Sequence, residues 1–164
     1  MRGPSSAPIT PLRGSLFHAA AQDLTFPTAE PRVMRIERTF WEKATAVHVF
    51  CKADALSAER LARHWYDLMR LDETGHAATA LADRALARLV AAHKSAFFAA
   101  KGVDYAAAVT GDLQLVPGGA LADLLRADYE AMLGNGLLND QAPTFEQLME
   151  WSQALQDRAN AILR

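Results

Sequence analysis

Arg38-Thr39-Phe40-Trp41-Glu42-Lys43-Ala44-Thr45-Ala46-Val47-His48-Val49-Phe50 is the stretch on which the fold turns. Phe40, Lys43, Val47 and Phe50 fall at i, i+3, i+7 and i+10, one face of an α-helix. Thr39-Phe40-Trp41-Glu42 fits a capping box, with Thr39 as N-cap and Glu42 reaching back to it, so the spacing predicts a helix from Thr39 to Lys52. Lys43 stands in line with three apolar residues. A lysine so placed buries its stem and keeps its ammonium wet, which by itself assigns it no ligand.

Composition supports helices throughout. Of 164 residues, 33 are Ala and 21 are Leu, whereas Ile and Val together number ten. Ala and Leu favour helices and β-branched residues favour strands, so a sandwich, barrel or large parallel sheet is excluded. The length suits one domain with a real core. A net charge of −2 provides no broad attraction for nucleic acid. A single cysteine, Cys51, excludes an internal disulfide framework and a cysteine-based zinc site. No apolar run is long enough to span a bilayer, and no signal-peptide core opens the chain, so a soluble cytoplasmic protein is expected.

The remaining pattern predicts a mainly α fold, a compact bundle of five or six helices preceded by an extended N-terminal arm. Residues 1–37 form that arm, carry five of the seven prolines, and leave room for a helical turn near Phe17–Asp23 and a short strand at 32–36. Residues 38–164 form the helical domain. A second helix is expected from Ser57 to Leu71, with Leu61, Trp65, Leu68 and Leu71 inward. A long third helix runs from His76 to Lys101, with Leu81, Ala85 and Leu89 buried and Gly102 closing it. A short helix is expected within Val103–Thr110. Leu113 and Leu115 alternate with polar neighbours and pin a glycine-rich loop to the core. A further helix spans Ala120–Leu133, stopped by Gly134-Asn135-Gly136. The last starts at Thr144 with another capping box and turns Phe145, Leu148, Ser152, Leu155, Ala159 and Ile162 inward.

No glycine-rich phosphate loop, HExxH or Asp-x-Asp occurs, and His18, His48, His64, His76 and His93 lack metal-site spacing. Arg38-Thr39-Phe40-Trp41-Glu42-Lys43-Ala44-Thr45 with His48 nevertheless resembles a signature of the AbiEii/AbiGii nucleotidyltransferase-like toxins. These are the toxins of type IV toxin–antitoxin and abortive-infection (phage-defence) systems. Four more matches follow in order: Arg63-His64-Trp65-Tyr66-Asp67-Leu68, His93-Lys94 with Phe97-Phe98, Leu125-Arg126-Ala127-Asp128-Tyr129 with Met132, and Pro143-Thr144-Phe145-Glu146 with Arg158-Ala159-Asn160.

The resemblance implies that a lysine and an aspartate of the helical half, here Lys43 and Asp67, complete a catalytic site facing a nucleotide. Arg63, His48 and His93 are supporting or nucleotide-binding candidates, and no metal ligand is assigned. The family's Gly-Ser…Asp-x-Asp, which holds magnesium against a triphosphate, has no counterpart: Gly14-Ser15 precedes only Asp23-Leu24-Thr25. The expectation is a truncated member, its arm the remnant of a nucleotidyltransferase domain, inactive alone. It would acquire magnesium and a nucleoside triphosphate only when completed by that domain. Implied partners are a polypeptide carrying the missing half or a cognate antitoxin, tRNA as acceptor, and a second copy through the arm, with no membrane. The alternative is a non-catalytic helical binding or regulatory module. Trp41, Trp65 and Tyr66 are expected in the core rather than as a base-stacking platform.

Overall fold

The computed structural model describes residues 31, 33–53, 61–100, 102–139 and 141–164. The chain divides into two units after Val33, and every helix below belongs to the second, Met34–Arg164. Seven helices occur among the described residues: α1 Ile36–Lys52, α2 Ala62–Glu73, α3 His76–Ala82, α4 Arg84–Phe97, α5 Tyr105–Ala108, α6 Gly119–Gly134 and α7 Phe145–Leu163. The described residues contain no strand. The helical turn near Phe17–Asp23, the Gly14-Ser15…Asp23 stretch and the Ser57 cap lie outside the described residues.

Several expectations are corrected. Helix α1 opens at Ile36, so the strand at 32–36 and the Thr39 capping box do not form. Thr39 is one turn inside, its N–H bonded to the Arg35 carbonyl at 3.0 Å. Glu42 is drawn instead to Arg38 and to Lys94 of α4. The long third helix breaks at Asp83, whose side chain accepts from the Leu86 N–H at 3.0 Å and starts a new helix. An aspartate that bonds the backbone locally competes with helix continuation. The break resets the buried face to Ala87, Val90 and Ala91, leaving Ala85 and Leu89 exposed, and α4 ends at Phe97 rather than Lys101. Ile162 faces outward, and Leu163 closes the stripe of α7.

The core is organised around an extended segment, 112–117, that threads between helices with Leu113, Leu115 and Pro117 buried. Buried amides outside a helix need partners from elsewhere. Asn160 supplies both for Leu113, accepting its N–H at 2.7 Å and donating to its carbonyl at 3.0 Å. His48 Nδ1 accepts the Gln114 N–H at 3.1 Å. Gln156 Oε1 accepts from Leu115 at 2.7 Å and Val116 at 3.3 Å. Trp65 Nε1 donates to the Leu115 carbonyl at 2.7 Å. Trp41, also fully buried, donates to the Ala80 carbonyl at 3.0 Å and locks α1 onto α3.

The ends of α2 are held by later helices. Asp128 of α6 accepts the Ala62 N–H at 2.8 Å, capping the first turn. Asp72 near the last turn receives Trp151 Nε1 at 3.0 Å and Arg158 at 2.5 Å, both from α7. Thr144 and Gln147 form the expected capping box of α7, and the Tyr129 hydroxyl donates to the Pro143 carbonyl at 2.8 Å. Asp128, Tyr129, Thr144, Arg158 and Asn160 therefore hold the frame.

Two outcomes follow for stability. Gln156→Ala strands two amide donors and should lower the unfolding free energy by about 1–3 kcal/mol in urea titration. Gln153→Ala, which removes only an exposed contact to Asp157, should stay within about 0.5 kcal/mol. Burial, then the Lys52 charge, holds the folded pKa of His48 below its ordinary 6.5. The unfolded chain therefore takes up this proton first, and stability is lost as pH falls below 6.5. His48→Gln, which keeps an acceptor for Gln114, should flatten the acid limb of a stability profile from neutrality to about pH 5. The flattening is partial because His64 is lowered in the same direction.

Candidate functional site

Helices α1 and α2 bring Lys43 and Asp67 together. Lys43 Nζ donates to Asp67 Oδ2 at 2.6 Å, and Arg63 Nε lies 3.7 Å from the same oxygen, one turn earlier on α2. The stem of Lys43 rises from the buried face that carries Phe40 and Val47, so its ammonium reaches the surface but ends on a carboxylate. The two side chains are 23% and 28% exposed, so the pair is open to a ligand yet partly desolvated. Glu42 serves a second pair: Lys94 Nζ approaches it at 2.7 Å and Arg38 at 3.4 Å. Lys94 also sits 4.7 Å from the centre of the Phe98 ring.

Two clefts meet at this pair, sharing Arg63 and Asp67. The first, about 490 Å³, is lined by Ile36, Thr39, Lys43, Arg70, Leu71, Thr74 and His76 besides the shared residues. Three basic side chains, Lys43, Arg63 and Arg70, and one carboxylate, Asp67, line it, a set suited to an anion of several charges. Arg70 is additionally paired with Glu73 at 2.5 Å. The second cleft, about 350 Å³, adds Tyr66, Met132, Leu137 and Leu138, one aromatic and three aliphatic side chains, to the charged Arg63 and Asp67.

Lys43, Asp67 and Arg63 are thus assembled at one place, and the two histidine candidates are not. His48 is buried and committed to the Gln114 amide. His93 lines neither cleft; its ring lies 4.9 Å from that of Phe97, and its Nδ1 is buried without a hydrogen-bond partner among the described residues. Trp41 and Trp65 are core residues, whereas Tyr66 is half-buried and lines the second cleft. Leu137 and Leu138 were not singled out by the sequence. Arg70 had a signal, since it falls at i+7 from Arg63 and i+3 from Asp67, on the same helical face. His64 is a close neighbour of the pair: burial, then the Lys43 ammonium, holds its imidazole below the usual range.

The chemistry open to this site is binding and charge neutralisation. Magnesium does not fit the described residues, because the clefts offer it a single carboxylate already engaged by Lys43. Among the described residues no group of three or more His, Cys, Asp or Glu is placed to hold a metal. Burial pushes the Cys51 thiol up to about 12, which disfavours the thiolate form. If Lys43–Asp67 is retained for a ligand rather than for stability, Asp67→Asn should change the urea unfolding free energy by no more than about 1 kcal/mol. A loss several times larger would make the pair a structural clamp.

No curated protein and no solved structure matches the chain. Among the described residues no helix is long and apolar enough to cross a membrane. The family model described as nucleotidyl transferase AbiEii toxin, type IV toxin–antitoxin system, matches residues 5–151. All five motifs except the end of the last fall within that match, and so does the Lys43–Asp67 pair. The chain therefore belongs to the AbiEii nucleotidyl transferase toxin family of type IV toxin–antitoxin systems.

Proposed function

We propose that residues 38–164 form the helical half of a nucleotidyl-transfer site and bind the polyphosphate of a nucleoside triphosphate in the cleft lined by Lys43, Arg63 and Arg70. The 2.6 Å contact between Lys43 and Asp67 at the meeting of the two clefts carries this reading. Lys43 is the point charge that neutralises phosphate oxygens, and Asp67 orients its ammonium. Arg63, reaching the same carboxylate, adds a planar donor for a second phosphate. When a ligand draws Lys43 forward, Asp67 keeps Arg63 as counter-ion and a free oxygen for a ribose or acceptor hydroxyl. His48 and His93 have no part in this reading.

Nucleotidyl transfer depends on positioning and on charge neutralisation supplied largely by magnesium. Magnesium needs convergent oxygen ligands, which this reading assigns to a nucleotidyltransferase unit bearing Gly-Ser and Asp-x-Asp. Such a unit, a cognate antitoxin and a tRNA acceptor are the partners it calls for. The helical half alone should bind a triphosphate only in the millimolar range, ~4 kcal/mol, and transfer nothing.

Titration with a nucleoside triphosphate should show saturable binding that Lys43→Ala weakens about ten-fold, close to 1.4 kcal/mol. In the same protein, labelled nucleoside triphosphates with magnesium and total tRNA should give no label transfer above background. Binding indifferent to Lys43→Ala would remove the polyphosphate reading. Transfer that disappears in Lys43→Ala would keep Lys43 and overturn the dependence on a separate metal-holding unit.

A further inference from the structure

The second cleft has a construction of its own. Its methionine and leucine wall comes from the end of α6 and the turn after it, 65 or more residues from Asp67 in sequence. The turn is a Schellman cap: the Leu137 N–H bonds the Met132 carbonyl at 3.0 Å, and the Gly136 N–H bonds the Leu133 carbonyl at 3.1 Å. Gly136 stands at φ 65°, where a side chain is strained. In such a cap the residue after the glycine contacts the one three positions inside the helix end, here Leu137 and Met132, and both line the cleft. The wall is therefore set before any ligand arrives. Leu137 is nonetheless 64% exposed, an apolar side chain held in water opposite Tyr66 and Arg63.

We infer that the cleft between Tyr66, Arg63 and the Met132–Leu137–Leu138 wall is the seat of a planar nitrogen heterocycle, the base of the nucleotide whose phosphates occupy the cationic cleft. The inference rests on the polyphosphate reading and extends it. The volume, about 350 Å³, lies in the range of small-molecule pockets, which are mostly apolar with a few placed polar groups. An aromatic ring, a planar guanidinium and aliphatic side chains offer a heterocycle flat faces to stack on. Continuity decides the occupant. Arg63 and Asp67 line both clefts, and Arg63, Asp67 and Arg70 lie on one stripe of α2 at i, i+4 and i+7. One molecule with a flat apolar end and an anionic end spans the two clefts along that stripe, its ribose at Asp67. Stacking tolerates any base, so the wall supplies affinity and orientation with little discrimination among bases.

The test separates the two ends of the ligand. Inorganic tripolyphosphate and a nucleoside triphosphate are titrated in parallel into the full chain, followed by methyl and backbone chemical shifts. The wild type should bind the nucleotide tighter than tripolyphosphate by about five-fold or more. Only the nucleotide should shift the resonances of Leu137 and Leu138. Leu137→Ser, at an exposed site where folding is safe, and Tyr66→Ala should each bring the nucleotide towards the affinity of tripolyphosphate and leave tripolyphosphate unchanged. Arg70→Ala should weaken both ligands alike. Equal affinity for the two ligands in the wild type, or wall variants that leave nucleotide binding intact or weaken both equally, would overturn the base seat while the cationic cleft stands. Failure of tripolyphosphate to bind at all would remove the cationic cleft and the base seat together.

Discussion

An extended chain inside a helical bundle carries amides that no helix can satisfy, and in this domain the rest of the structure is arranged around that demand. Residues 112–117 bury Leu113, Leu115 and Pro117, and four side chains from three helices serve their backbone. His48 belongs to α1, Trp65 to α2, and Gln156 and Asn160 to α7. Each is large, polar at one end and packed in the core at the other, so its hydrogen bond fixes where its helix lies. A buried donor without a partner costs more than a formed bond contributes, which makes this arrangement strict. Gly111 shows the same tightness: it adopts φ 102°, and a Cβ there would lie 2.7 Å from the Arg164 side chain.

The site inherits its geometry from that frame. Trp65 fixes the rotation of α2 about its axis, and Trp41, bonded to Ala80, fixes that of α1. With both rotations set, Asp67 and Lys43 face each other across the helix pair. Asp128 and Asp72 pin the two ends of α2 from α6 and α7, so the stripe that carries Arg63, Asp67 and Arg70 cannot slide along its axis. The Glu42–Lys94 pair does the same for α1 against α4. The AbiEii motifs thus divide into two kinds of residue. Lys43, Arg63 and Asp67 present charge to the clefts, and Trp41, Trp65, Asp128, Tyr129, Thr144, Arg158 and Asn160 hold the backbone that aims them.

Much of this was legible in local spacing. The helical class, the Thr144 cap, the Gly134-Asn135-Gly136 stop and the anchoring role of Leu113 and Leu115 all depend on neighbours within a few residues. The Thr39 cap failed because a capping box names a chemistry that several positions can meet, and Glu42 found cations at Arg38 and Lys94. In sequence the third helix looks continuous because alanine and leucine are permissive at every phase, whereas Asp83 breaks it with a single side-chain bond. Resemblance pointed to Lys43 and Asp67, but their contact joins residues 24 apart. The roles of His48 and of the Leu137–Leu138 wall were out of reach, since each depends on a partner about half the chain away. A histidine that accepts from a distant backbone amide leaves no periodic trace.

The ladder on segment 112–117 also sets an order of events during synthesis. Its acceptors on α7 lie 41 and 47 residues downstream of the amides they serve, and Asp72 waits 79 residues for Trp151. Until α7 leaves the ribosome, the half-made bundle holds an unsatisfied extended segment beside an open apolar core, a combination that invites association with other nascent chains. Contacts closed so late across the sequence make folding slower than the helix content alone suggests. Lys43 and Asp67, only 24 residues apart, are free to meet early, but they are held rigidly only once the final turn of α7 is in place.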